Sequence, residues 1–270
     1  MSLPLPAHHT KHLSRLDYPF LDSRFSLSQL ADGHSNGTAL WLGAQCLSSY
    51  LAVIHKKLCR HSRPRALELG SGIGLTALAM RSLGWDIVAT DTRHVIAGVL
   101  SPNIAANTGQ SPPNPGVVQI RELDWTVPPE EWDWDHPAVI ASTQTSTLSL
   151  EAAKLYDSPL KPPFDLIISS DTLYTTELVT PLLRTLHAVS AQSLVLASRP
   201  PPIYLCIERR DSAVIDRALF EAQTDWGFTV ERIAHRKVLK AMEKGGLNWA
   251  KEDWDDVEIW KLVQKMAVKS

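Results

Sequence analysis

From Arg65 onwards the chain alternates between two hydrophobic rhythms. Short, almost wholly apolar runs read as strands covered on both faces, and longer stretches with an apolar residue every three or four positions read as amphipathic helices. Ala66 to Leu69 is the first strand, and the helix over Leu75 to Leu83 stops at Gly84. Asp86 to Asp91 is the second strand and Val117 to Asp124 the third, with a helix over 94–107 between them that Pro102 must kink or restart. Phe164 to Ser170 is the fourth strand. A helix over roughly 176–190, with Pro181 near its start, and a Ser/Pro-rich connection over 191–202 lead to the fifth, Ile203 to Glu208. Asp211 then caps a helix carrying Val214, Ile215, Ala218, Leu219 and Ala222, closed near Gly227. Two late strands, Phe228 to Ala234 and Asp256 to Leu262, have at most a short helix over 236–244 between them and are close enough to pair antiparallel.

These seven strands, five of them in parallel βα units, predict an α/β fold: a single doubly wound, mostly parallel seven-stranded sheet of the Rossmann-like kind, with an antiparallel last strand. The domain is expected over 38–270, behind an N-terminal extension at 1–37 holding a strand or two near Tyr18 to Leu21. Asn36-Gly-Thr38 predicts a turn and an N-cap for a helix in which Trp41, Cys46, Leu47, Tyr50, Leu51, Ile54 and Leu58 recur at helical spacing. Spacing alone makes Trp41 a core aromatic. Residues 126–163 break the rhythm and read as a long, partly mobile insertion on the rim. Within it, Glu130-Glu-Trp-Asp-Trp-Asp135 is either a solvated loop or a dock for a basic partner.

Composition alters this picture little. Of 270 residues, 44% are hydrophobic and 21% charged, which allows a sizeable core without covalent staples. The net charge of −2 lacks the basic surplus of a nucleic-acid binder. Cys46, Cys59 and Cys206 are widely spaced, no CxxC or HExxH occurs, and the ten histidines show no ligand spacing. Reduced thiols and no metal are therefore expected. The first residues lack a signal peptide's basic head and apolar run, and no stretch approaches the ~20 apolar residues of a membrane span. The chain reads as a soluble, cytoplasmic protein, with the nucleus as a second compartment, monomeric and without a membrane partner.

The candidate chemistry sits where the first strand meets its helix. Gly70, Gly72 and Gly74 alternate through a strand–turn–helix junction, which is how α/β folds build nucleotide pockets. The spacing is G-x-G-x-G, and Leu75 stands where a dinucleotide fold wants its third glycine. Glu68, two residues before Gly70, would oppose a pyrophosphate but suits a cofactor carrying an ammonium and a sulfonium. As a surface carboxylate at a strand end it would mean nothing. Asp91 is placed to accept hydrogen bonds from ribose hydroxyls, which fits NAD and S-adenosylmethionine alike; Glu68 tips the choice toward the latter. Trp125 follows the third strand at the same edge and can flank an adenine, or merely shield the core. Ser169 and Ser170 close the fourth strand with small side chains that leave room for a cofactor.

These residues together resemble a class I, seven-strand S-adenosylmethionine-dependent methyltransferase, and more narrowly the family-16 protein lysine methyltransferases. The matching segments are Thr38-Ala-Leu-Trp41, Leu67-Glu-Leu-Gly-Ser-Gly-Ile-Gly-Leu75, Ile87-Val-Ala-Thr-Asp91, Glu122-Leu-Asp-Trp125 and Phe164-Asp-Leu-Ile-Ile-Ser-Ser-Asp-Thr-Leu-Tyr174, and Leu205-Cys-Ile-Glu-Arg-Arg210 is similar to one branch of that group. The resemblance covers roughly 36–262. It implies a cofactor site of Trp41, Glu68, Gly70, Gly72, Gly74, Asp91, Trp125 and Ser169, with S-adenosylhomocysteine as product. It also implies Asp171 orienting the incoming amine or its supporting backbone, Tyr174 walling a lysine channel, and a protein partner that offers a lysine. From the residues alone, Asp171 would cap the next helix and Tyr174 would pack as core. The rivals are a methyltransferase-like scaffold that transfers nothing, a methyltransferase for a small molecule, and a NAD-dependent oxidoreductase.

Overall fold

The computed structural model describes residues 4–30, 36–109, 114–144 and 158–266. A hairpin of β1 (Arg15–Phe20) and β2 (Ser23–Ser28) precedes the main sheet, which is built from β3 (Arg65–Leu69), β4 (Asp86–Asp91), β5 (Val118–Leu123), β6 (Val139–Ala141), β7 (Leu166–Ser170), β8 (Ile203–Glu208), β9 (Phe228–Arg232) and β10 (Val257–Gln264). The strand order is β6-β5-β4-β3-β7-β8-β10-β9. Pairings from β6 to β8 are parallel, and β10 runs antiparallel between β8 and β9. The order of connection reverses between β3 and β7. That reversal opens a crevice beyond the carboxyl ends of those strands, where ligands of open α/β sheets bind.

The apolar runs form strands because both sheet faces are covered. Along β3, Ala66 belongs to one buried cluster and Leu67 and Leu69 to the other. The first face carries α1 (Leu42–Leu58), α2 (Leu75–Ser82), α4 (Ser101–Asn107), α7 (His235–Lys244) and the hairpin; the second carries α5 (Thr176–Ala197) and α6 (Ser212–Thr224). Asp211 caps α6, its Oδ1 accepting from the amides of Ala213 and Val214 at 3.0 and 3.2 Å. Before α4, a helical turn α3 (Arg93–Val95) passes through a π-helical turn (Ile96–Leu100), so Pro102 enters at the start of a fresh helical segment.

Several boundaries differ from expectation. The sheet has eight strands rather than seven, because Val139–Ala141 adds in parallel to β5, a three-residue strand too short to show a pattern. α5 runs on to Ala197, since Ser190 and Ser193 face the core as small helix residues rather than opening a loop. Thr38 lies in a short 3-10 turn, and Trp41 takes the N-cap position of α1. The N-terminal hairpin is no loose extension. Leu16, Tyr18, Phe20, Phe25 and Leu27 are buried in the main core, and the side chains of Asn103 and Asn107 pair with the backbone of Ser28 and Ser26 along β2.

The described part of the 126–163 insertion also packs down. Arg121 of β5 is fully buried, and its guanidinium donates to the carbonyls of Leu160, Trp134 and His136 at 2.8, 2.7 and 2.6 Å. The Trp134 indole N–H donates to Gln192 Oε1 at 3.0 Å, and Trp132 and Trp134 lie against the second core. The acidic and aromatic run is thus wrapped around an internal arginine. Residues 145–157, which hold the rest of the Ser/Thr-rich run after Thr143, lie outside the described residues.

Candidate active site

A cleft of about 170 Å³ opens at the β3/β7 reversal, floored by the β3–α2 turn and walled by Leu40, Trp41, Trp125 and Tyr174. Gly70 and Gly72 line it. Gly70 has φ +71°, and a Cβ there would stand 2.6 Å from Thr172 Cγ2 and 3.4 Å from the Trp125 ring, so only glycine lets the turn, the tryptophan and the β7 end meet. Gly74 departs from its expected place: it is the N-cap of α2 against Leu100 and Ile104, and it does not line the cleft.

Asp91 ends β4 facing the cleft. Its Oδ2 accepts from the Gly72 amide at 2.8 Å and its Oδ1 from the Thr92 amide at 2.8 Å, which ties the glycine turn to the next strand and leaves further lone pairs directed into the cleft. Burial pushes its pKa up to about 6, with those two amides pulling the other way. Asp124 lines the same cleft. Burial raises its pKa, but hydrogen bonds from Thr126 and Thr143 outweigh that and hold it below the ordinary value.

Glu68 does not stand where the sequence suggested. Two-residue periodicity places it on the Ala66 face of β3, beneath α2, and it is 1% exposed and outside the cleft lining. Burial raises its pKa to about 8; Ser71, Thr76 and the Ala77 amide favour the charged form, yet Oε2 has no hydrogen-bond partner among the described residues. Near neutral pH Glu68 is therefore mostly the neutral acid. Ser169 is likewise turned away: its hydroxyl donates to the Leu69 carbonyl and meets Thr172 Oγ1, both at 2.8 Å, and Ser170 lines the cleft instead.

Asp171 borders the cleft but is already engaged. Its backbone sits at φ +53°, its Oδ2 accepts from the Gly43 amide at 2.7 Å and its Oδ1 from the Glu208 amide at 3.1 Å. It ties the first turn of α1 to the ends of β7 and β8. Gly43 permits this, since a Cβ there would stand 2.4 Å from the carboxylate. Burial lifts the Asp171 pKa to about 6, the two amides opposing it. Tyr174 is 48% exposed at the mouth of the cleft. Two cations contact the Trp41 ring, Lys11 Nζ at 3.5 Å and Arg210 Cζ at 4.3 Å from its centre.

Sequence reasoning missed Gly43, Asp124, Thr172, Lys11 and Arg210. Gly43, a glycine in the first turn of a helix, left a local trace, and Asp124, Thr172 and Arg210 lie inside quoted segments; Lys11 left none. The histidines were also joined by folding alone: His8, His9 and Asp253 bring three donor atoms within 4.8 Å of one another.

The lining includes three carboxylates, Asp91, Asp124 and Asp171, and no lysine, arginine or histidine among the described residues. A pyrophosphate would meet three carboxylates and no basic side chain there among the described residues, whereas a cationic, phosphate-free nucleoside is matched. The Trp125 indole nitrogen is buried beside the glycine turn without a partner among the described residues, a donor left over for a ligand. Fold and cleft together resemble the class I methyltransferase type. Within that class, a family described as lysine methyltransferase matches residues 22–142. Human methyltransferase-like protein 22 is 28% identical over 130 residues, 46% of this chain and 31% of that protein. The mouse protein of the same name is matched over 32% of its length, so the chain aligns with about a third of these relatives. The zebrafish (Danio rerio) protein N-lysine methyltransferase METTL21A is 27% identical over 195 residues, 72% of this chain and 74% of that one. Among solved structures, a Pyrococcus furiosus methyltransferase has a TM-score of 0.49 at 13% identity, covering 97% of this chain and 95% of its own. By sequence the chain is similar to proteins described as lysine methyltransferases.

Proposed function

We propose that the protein binds S-adenosylmethionine and transfers its methyl group to a lysine side chain of a protein partner. The observation that carries this reading is the cleft lining, three carboxylates and no basic group among the described residues around a glycine turn. These carboxylates, rather than the buried Glu68, make the cleft negative. Asp91 would hold the ribose, Trp125 would flank the base, and Asp124 and Asp91 would face the positive end of the cofactor. Trp41, Gly70 and Gly72 complete the cradle, whereas Glu68, Gly74 and Ser169 support it from behind. The similarity to proteins named as lysine methyltransferases supports the acceptor class, and the net charge of −2 weighs against nucleic acid.

The bound cofactor would supply an electrophilic methyl carbon, so the chain's task is position and desolvation. A lysine attacks only as the free amine, from an ordinary pKa of about 10.4. Leu40, Trp41, Tyr174 and Leu178 give the cleft an apolar wall that disfavours an ammonium. Asp171 acts as a positioning residue: by holding the Gly43 and Glu208 amides it fixes the first turn of α1, next to Trp41, against the ends of β7 and β8. The test is incubation of the protein with labelled S-adenosylmethionine and lysate lacking it, beside calorimetric titration with S-adenosylhomocysteine. Label in a protein band that yields methyllysine is expected. Binding heat without transfer to any protein would leave the scaffold reading, and no heat at all would remove the cofactor assignment.

A further inference from the structure

His8 and His9 close the short helical turn Ala7–His9, and Asp253 closes another, Lys251–Asp253, just before β10. His8 and Asp253 are 245 positions apart, yet the two turns meet: His8 Nε2 lies 3.3 Å and His9 Nε2 4.0 Å from Asp253 Oδ1. One donor atom from each residue falls within 4.8 Å of the others, and the two imidazoles meet edge to face with ring centres 4.2 Å apart. Ligands held tetrahedrally at about 2.0–2.1 Å stand about 3.3–3.5 Å from one another, so an ion would need to draw this group together only slightly. Both turns are fixed independently of the group. Trp249 Nε1 donates to the Pro4 carbonyl at 2.7 Å, Gln45 Nε2 to the Leu5 carbonyl at 2.9 Å, and the Thr10 amide and hydroxyl to the Ala7 carbonyl at 3.0 and 2.8 Å. On the other side the Asp253 amide donates to the Ala250 carbonyl at 3.1 Å, and the next residue, Trp254, is buried in the main core. Among the described residues no lysine or arginine pairs with Asp253; Lys251, on the same turn, pairs with Asp255 at 3.3 Å.

We propose that His8, His9 and Asp253 form a binding site for a divalent first-row transition ion, zinc foremost, which staples the N-terminal segment to the approach of β10. Two imidazoles and one carboxylate are zinc ligands. Calcium and magnesium call for a shell of oxygens, of which this group offers one carboxylate. Copper(I) and iron–sulfur clusters call for thiolates, and none of the three cysteines joins the group. The side chains of His8 and His9 are 44% and 53% exposed, so water can complete the coordination sphere. The ion would replace a single exposed hydrogen bond, His8 to Asp253, by three bonds to ligands whose backbone is already in place. None of the three residues lines the cleft, so the role is structural. It joins segments nearly a chain length apart, and a clip that closes so long a loop removes the most freedom from the unfolded chain. The site does not depend on the methyltransferase reading.

The experiment titrates the full chain, untagged and treated with chelator, with zinc chloride in a calorimeter. One ion per chain is expected, bound at least about tenfold more weakly by His8→Ala, His9→Ala and Asp253→Asn, since even the partners that merely orient a metal's ligands are worth that much. His12 is exposed, three residues beyond the pair and outside the group, so His12→Ala should bind zinc as the wild type does. Zinc binding that survives Asp253→Asn, or that falls as far in His12→Ala, would mean a loose set of N-terminal histidines and overturns the proposal. Absence of binding overturns it as well. A second measurement reads the staple itself. Zinc at a hundredfold its Kd should raise the wild-type melting temperature by about 5–10 °C and that of Asp253→Asn by less than about 2 °C. An equal rise in both overturns the assignment. Melts without zinc establish that each variant folds, because the substitutions remove only surface groups.

Discussion

Replacing Asp171 by alanine separates a positioning residue from one that handles the acceptor directly. The side chain holds two backbone amides, Gly43 at 2.7 Å and Glu208 at 3.1 Å. Each buried donor left unpaired costs about 1–3 kcal/mol, and alanine at φ +53° adds about 1 kcal/mol. Relief of a carboxylate that burial already disfavours works in the opposite direction, so a net loss of about 2–4 kcal/mol is expected. At ~2–4 °C per kcal/mol for a domain of this size, the melting temperature should fall by about 5–15 °C. An asparagine side chain tolerates the left-handed backbone and keeps one acceptor, so Asp171→Asn should lose roughly half as much. The pH dependence has a defined sign. A folded pKa raised from 3.8 to about 6 gives the wild type extra stability that is complete below 3.8 and lost as pH rises through about 6. The gap between wild type and Asp171→Ala should therefore narrow across that window. Thermal melts by circular dichroism, with S-adenosylhomocysteine calorimetry alongside, provide the measurement. A variant that melts within about 2 °C of the wild type while losing methyl transfer would refute the tether and restore a direct role.

Other expectations follow from the same geometry. Asp91→Ala should weaken S-adenosylhomocysteine binding by about tenfold or more, the worth of one hydrogen bond to a charged acceptor at about 1.5–3 kcal/mol; calorimetry showing unchanged affinity would remove Asp91 from the ribose. Asp124→Asn should weaken S-adenosylmethionine more than the neutral thioether product, because only the sulfonium loses an attraction to the carboxylate charge; equal losses would count against a carboxylate facing the sulfonium. Glu68→Gln should bind cofactor within a few fold of the wild type. It should also flatten the stability profile, since the wild type's raised pKa gives stability that is present below 4.5 and lost as pH rises through about 8; a profile identical to wild type would show that Glu68 is not held as the neutral acid. Asp211→Ala should cost about 1 kcal/mol through the lost cap of α6 and leave cofactor affinity untouched.

Most of the sheet was legible in the sequence because burial on both faces forces near-continuous apolar runs, as in Leu166-Ile-Ile168 and Ile203-Tyr-Leu-Cys-Ile207. The glycine turn, Asp91 and Trp125 were legible because strand ends and tight turns are local. What local pattern could not give was direction. Glu68 carries the right chemistry, but strand periodicity turns it under α2, and the negative lining of the cleft comes from Asp91, Asp124 and Asp171, brought together from three strand ends. Asp171 read from its own neighbourhood as a cap of the next helix, yet it holds two distant backbone amides, one of them 128 positions earlier. Trp41 read as core by spacing, and only the packed chain brings it against Lys11 and Arg210 on the cleft wall. Val139–Ala141 is too short to reveal itself as a strand until β5 offers it an edge. Periodicity and turn chemistry are properties of neighbours along the chain, so the sequence by itself determined the elements and the cofactor's cradle. Charge complementarity and the acceptor side of the cleft depend on neighbours in space, and only the tertiary structure decided them.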